Sequence, residues 1–117
     1  MPAMERGCHL VFDGISEHLL SNLEIHTFLT ECPRLLKLTI FSGPSVYPTE
    51  HGLAGIVLVA ESHISVHTDG LAVYGDVFSC RSFLPSIVME LAREVLFLED
   101  KPKPRQQVLR RGWGQKG

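Results

Sequence analysis

The segment Ala54–Cys80 reads AGIVLVAESHISVHTDGLAVYGDVFSC, and its hydrophobic pattern changes along its length. Ile56 to Ala60 is apolar at every position, the pattern of a central strand covered on both faces. From residues 62 to 68 and again from 71 to 79, polar and apolar side chains alternate, as in half-buried strands. Between these runs stands Asp69-Gly70, a pair that tolerates positive φ at both centres of a type I′ turn. His67 to Ala72 is therefore expected to form a tight hairpin. Strands joined by hairpins imply an antiparallel sheet. The same segment places Glu61, Ser62, His63 and His67 directly after its most apolar run.

Outward from this segment the period varies. Cys8 to Phe12 reads as a short strand ending at the Asp13-Gly14 turn signal. Leu19, Leu20, Leu23, Phe28 and Leu29 make a helical stripe, with Ser16 as N-cap and Pro33 as stop. Leu35 to Phe41 is a second strand. Ser42 to Gly52 holds two prolines and two glycines and reads as a loop. Pro85 opens a second helix, with Leu84, Val88, Leu91 and Val95 on one face and Glu90, Arg93 and Glu94 opposite. Lys101 to Arg105 is an extended connector, and Gln107 to Arg111 a last edge strand. The expectation is an α+β fold, an antiparallel β-sheet with two helices packed on one face in a two-layer sandwich. Two helices cover one sheet face, which leaves the other to solvent or to a second subunit.

A chain of 117 residues is read as one domain with room for a real core. Eleven basic and 13 acidic residues leave a net charge of −2, so no general field favours nucleic acid. The basic run from Lys101 to Arg111 is broken by prolines and reads as a solvated edge. No apolar stretch approaches the ~18 residues of a membrane span, and the N-terminal apolar run is too short for a signal peptide. Cys8, Cys32 and Cys80 are an odd count without C-x-x-C spacing, the usage of reduced thiols in a cytoplasmic protein.

Ser62, His63, His67 and Cys80, with Glu61 and Asp76 nearby, are the candidate reactive groups. A Ser/His hydrolase reading lacks the G-x-S-x-G elbow. A metal reading would draw on His63, His67, Cys80 or His51, but His63 and His67 lie ~13 Å apart along a strand, and no metal site is expected. His9, His18, His26 and His51 read as structural or solvated, His63 as a strand residue or local support, and Cys8 and Cys32 as packing thiols.

A third reading comes from a resemblance. Glu61-Ser62-His63-Ile64-Ser65-Val66-His67-Thr68 resembles the ESHxSxHT motif of the short, prokaryotic type of S-adenosylmethionine decarboxylase. His9-Leu10-Val11-Phe12-Asp13, Gly55, Asp76-Val77-Phe78-Ser79-Cys80 and Arg111-Gly112 extend it over essentially the whole chain. The resemblance implies an inactive proenzyme, or zymogen, that cuts itself autocatalytically between residues 61 and 62 into a β chain (1–61) and an α chain (62–117). Ser62 becomes a pyruvoyl group, the cofactor, which holds an amino-acid-type substrate as a Schiff base while carbon dioxide leaves. It further implies His67 as the proton-handling group in cleavage and Cys80 as the proton donor in catalysis; Glu61, and Asp69 as the carboxylate the shortened turn offers, are the candidates at the substrate. The implied protein is a cytoplasmic, homodimeric carboxy-lyase of polyamine (spermidine) biosynthesis, with no nucleic-acid or membrane partner and no metal.

Two departures accompany the resemblance. The family continues HTWPE, with a Glu that binds ribose hydroxyls, where this chain has His67-Thr68-Asp69-Gly70. A Ser linked to processing is replaced by Ala54. Loss of the ribose carboxylate fits an arginine or ornithine decarboxylase on the same scaffold. Loss of the Ser hydroxyl fits an uncleaved regulatory homologue.

Overall fold

A computed structural model describes residues 4–113; Met1 to Ala3, part of the stretch read above for targeting, and the last four residues lie outside the described residues. The elements run β1 (Met4–Ile15), α1 (Asn22–Leu36), β2 (Ile40–Pro48), β3 (Leu53–Val59), β4 (Ser62–Asp69), β5 (Ala72–Ser79), α2 (Pro85–Val95) and β6 (Arg105–Trp113). The six strands form one sheet in the order β2-β3-β4-β5-β1-β6, antiparallel at every pairing. This is the expected α+β architecture.

Alternation decides what each face carries. Leu10, Phe12, Val57, Val59, Ile64, Val66, Val73 and Val77 point inward and join Ile25, Phe28, Leu29, Cys32, Val88 and Leu91 in a single core. On α1 the approach to the sheet is close. A Cβ built on Gly55 of β3 would sit 2.8 Å from both Ile25 Cγ2 and Leu29 Cδ1, so only glycine lets the helix settle at this depth. Among the described residues, no element covers the opposite sheet face. Ile56 and Leu58 on β3 are 41% and 42% exposed, so β3 is apolar throughout without being covered on both sides, contrary to the sequence expectation.

Several boundaries also differ, each for a local reason. Asp13-Gly14 is not a turn. β1 continues to Ile15 because Asp13 is paired on both sides, to Tyr74 and Arg105, and the Arg105 guanidinium donates to its carboxylate at 2.9 and 3.0 Å. The cap of α1 is Ser21 rather than Ser16. Ser21 Oγ accepts from the Glu24 N–H at 3.1 Å, and Glu24 Oε1 accepts from the Ser21 N–H at 2.7 Å, a complete capping box. Ser16 is buried and bridges to Leu98. Leu19 and Leu23 are exposed, so the inward stripe of α1 is Ile25, Phe28, Leu29 and Cys32. Pro33 lies inside the helix, which ends instead at Lys37 in the left-handed conformation.

The second strand begins at Ile40 and runs through Pro44 to Pro48, across the stretch expected to be a loop. As the sheet edge, β2 has a partner on one side only, so prolines are tolerated there. A register shift between Ser42 and Ser45 absorbs Gly43-Pro44 as a bulge. Leu84 caps α2 from outside and is exposed rather than part of its inward face.

Candidate active site

Each end of β4 is a two-residue turn, and the candidate residues divide between the two ends. At the first, Val59 pairs with Ser62, leaving Ala60-Glu61 as the turn. Ser62 also pairs with Ser79 on β5. Its φ is 153°, a backbone conformation that side-chain-bearing residues rarely adopt and that stores strain. The peptide before it is held on both flanks. The Glu61 carbonyl oxygen accepts the Cys80 N–H at 2.8 Å, and the Ala60 N–H donates to the Thr39 carbonyl at 2.8 Å. The Glu61 carboxylate accepts the Thr39 N–H at 3.1 Å. Glu61, Ser62 and Cys80 are thus brought together, with the Cys80 side chain exposed.

At the other end Asp69 pairs with Ala72, so the turn residues are Gly70-Leu71, displaced by one from the expected Asp69-Gly70. Gly70 alone has positive φ, at 59°. Glycine at the first central position is the requirement of a type II′ turn. The Gly70 N–H donates to the His51 carbonyl at 3.0 Å, tying the hairpin to the β2–β3 turn. His67 pairs with Ala54 and Tyr74 here. It lies five residues along β4 from Ser62, ~17 Å by strand rise. Within one chain, then, His67 and Ser62 are apart. His67 and Asp69 line a shallow depression of about 180 Å³ with Thr49, Glu50 and His51.

A third group lies on the open sheet face. The Asp76 carboxylate takes His9 Nε2 at 2.8 Å and His63 Nε2 at 3.0 Å on one oxygen, and the Ser65 hydroxyl on the other. Arg111 is 3.0 Å from His9 Nδ1 and stacks over the Phe78 ring at 5.2 Å. A guanidinium only donates, so His9 Nδ1 accepts and its ring proton sits on Nε2, pointing at Asp76. Partial burial opposes ionisation of Asp76, but the hydrogen bonds from Ser65, His9 and His63 outweigh it and hold the carboxyl below the ordinary range.

Sequence reasoning placed Asp76 among the nearby acids and His9 among structural residues; only register joins them, 67 positions apart. The backbone donors of Thr39 and Cys80 had no sequence signal either, because an N–H carries none. A depression of about 540 Å³ between α2 and β6 touches none of these groups.

Comparisons with known proteins bear on the family and the fold. The family profile described as S-adenosylmethionine decarboxylase matches residues 9–111. The S-adenosylmethionine decarboxylase proenzyme of Archaeoglobus fulgidus is 33% identical over 115 residues, covering 91% of this chain and 97% of that protein. The like-named proenzyme of Aquifex aeolicus is 36% identical over 80 residues, 63% of this chain and 58% of that one. The crystal structure of adenosylmethionine decarboxylase from Aquifex aeolicus superposes with a TM-score of 0.80 at 25% identity, covering 98% of both chains.

Proposed function

The chain belongs to the S-adenosylmethionine decarboxylase family, a family of carboxy-lyases, and from that premise we propose that it is a proenzyme that cleaves itself between Glu61 and Ser62. The observation that carries this reading is the state of that one peptide bond: strained at Ser62, and with the Glu61 carbonyl already receiving a backbone N–H.

The chemistry follows from these groups. Ser62 Oγ attacks the Glu61 carbonyl carbon; the C–N bond breaks and an ester forms. As the carbonyl oxygen takes up negative charge, the Cys80 N–H already points at it, which is the requirement for oxyanion stabilisation. Loss of the amide also releases the strain at Ser62. A base then removes the Ser62 Cα proton, and the Glu61 carboxylate departs with the ester oxygen. Water hydrolyses the resulting enamine, releasing ammonia and leaving a pyruvoyl cap on residue 62. The residues present fit that group, since Ser62 is its own precursor at a half-buried strand end. When formed, that group would supply a carbonyl able to take the substrate amine and to draw electrons as the carboxylate leaves. Cys80 follows Ser79, the residue paired with Ser62, and is the assigned donor that returns a proton to the substrate carbon.

His67 is the assigned proton-handling residue, and ~17 Å along one strand is beyond its reach. A second copy supplies it in this reading. The open sheet face, with Tyr47, Ile56, Leu58, Tyr74 and Leu109 exposed, is the surface for that pairing, and the protein is a homodimer with composite sites. Ala54 then changes the surroundings of His67, its cross-strand partner, rather than the Glu61 peptide of its own chain.

S-adenosylmethionine is the substrate that the relatives' names give; the cytoplasm and polyamine synthesis are the setting we propose for it. A second reading rests on the two-residue Gly70-Leu71 turn. It leaves Asp69 as the hairpin's only carboxylate, which favours arginine or ornithine over a ribose-bearing substrate. Release of labelled carbon dioxide from the three compounds in parallel decides between them. Exclusive turnover of S-adenosylmethionine contradicts the second reading, and release from none contradicts both.

A further inference from the structure

We propose that His9, His63 and Asp76 form a binding site for a divalent first-row transition cation of the zinc class. Each residue offers one ligand atom, and the three lie within 4.8 Å of one another. The two Nε2 atoms already converge on the same Asp76 oxygen, at 2.8 and 3.0 Å. Bonds of ~2.0–2.1 Å to zinc put tetrahedral donors ~3.3 Å apart, so small side-chain rotations make room for an ion. Two imidazoles and a carboxylate suit zinc, cobalt or nickel better than magnesium or calcium.

The support around these donors is also in place. They come from β1, β4 and β5, whose register is fixed by continuous pairing. The Ser65 hydroxyl occupies the other Asp76 oxygen, the kind of outer-shell contact that orients a metal-binding carboxylate. The three side chains are 16–33% exposed, leaving room for a water to complete the coordination.

One contact opposes loading. Arg111 keeps the His9 proton on Nε2, the nitrogen that must bind the ion. Binding moves that proton to Nδ1 and turns Arg111 aside, so Arg111 weakens the site. His9 precedes the Glu61-Ser62 bond, whereas His63 and Asp76 follow it. In a cut chain the ion ties the two pieces together, a consequence that rests on the processing reading; the site itself does not.

The test titrates the metal-stripped protein, as purified, with Co²⁺, followed by its visible absorption band. One arm uses the assembled protein and the other protein refolded with Co²⁺ present, since pairing of two copies would close this face. One equivalent per chain is expected in at least one arm. His63→Ala and Asp76→Asn should lose the band, with circular dichroism confirming that they fold. Arg111→Met should bind about tenfold more tightly, the size of an outer-shell effect. In the wild type, Zn²⁺ should protect His9 and His63 from diethyl pyrocarbonate, read by peptide mass. Absence of a band in both arms, a band that survives both substitutions in folded protein, or unprotected histidines each overturn the site. Weaker binding by Arg111→Met overturns the role given to Arg111.

Discussion

Of the three cysteines two are buried and one is exposed. Burial pushes the Cys32 thiol up to about 12, so it stays protonated at any ordinary pH. Cys8 is buried and Cys80 exposed. Iodoacetamide at pH 8 should therefore alkylate Cys80 alone in the folded protein and all three after denaturation. Labelling of Cys32 without unfolding would contradict the packing of α1. Asp76 gives a second residue-level expectation. Its folded carboxyl is held below the usual range, so it contributes stability above the unfolded value of ~3.9. That contribution disappears as pH falls through the lower, folded value. The stability deficit of Asp76→Asn should be full near neutrality and shrink below about pH 3.9. A deficit that does not change with pH would mean that charge is not what Asp76 supplies.

Elements were legible where a single face decided them. The alternation from Ser62 to Ser79 marked β4 and β5 to within a residue, because one side is core and the other open. Where position in the sheet mattered, local signals misled. Pro44 and Pro48 read as a loop because sequence does not reveal that their strand is an edge. Asp13-Gly14 read as a turn because Arg105, which holds Asp13 in the sheet, is 92 residues away. The capping box of Ser21 and Glu24 was present in the sequence but was outbid by an apolar stripe whose Leu19 and Leu23 prove exposed. Ser21→Ala should cost ~0.5–2 kcal/mol. Gly55→Ala forces a methyl against Ile25 and Leu29 and should cost ~1–3 kcal/mol. Chemical denaturation measures both, and a neutral Gly55→Ala would show that α1 can lift away from β3.

For the whole molecule, the site was legible as chemistry and not as geometry. Glu61, Ser62 and Cys80 stand together at one end of β4, whereas His67 stands at the other. A motif gives residue types in order, whereas a strand separates them by ~3.3 Å per step. The proposed homodimer would reconcile the two, with the uncovered sheet face as its surface. Leu58→Glu, an exposed position, should convert a dimer to a folded monomer in light scattering at micromolar concentration and should slow self-cleavage with it. Wild-type protein that is already monomeric would remove the composite site.

The intact mass of the purified protein shows whether the Glu61-Ser62 bond is cut. Self-cleavage predicts two polypeptides, residues 1–61 and residues 62–117 with a pyruvoyl cap in place of the serine, and one uncut chain for Ser62→Ala. A wild-type protein that remains a single full-length chain, or a Ser62→Ala chain split at the same bond, would contradict it.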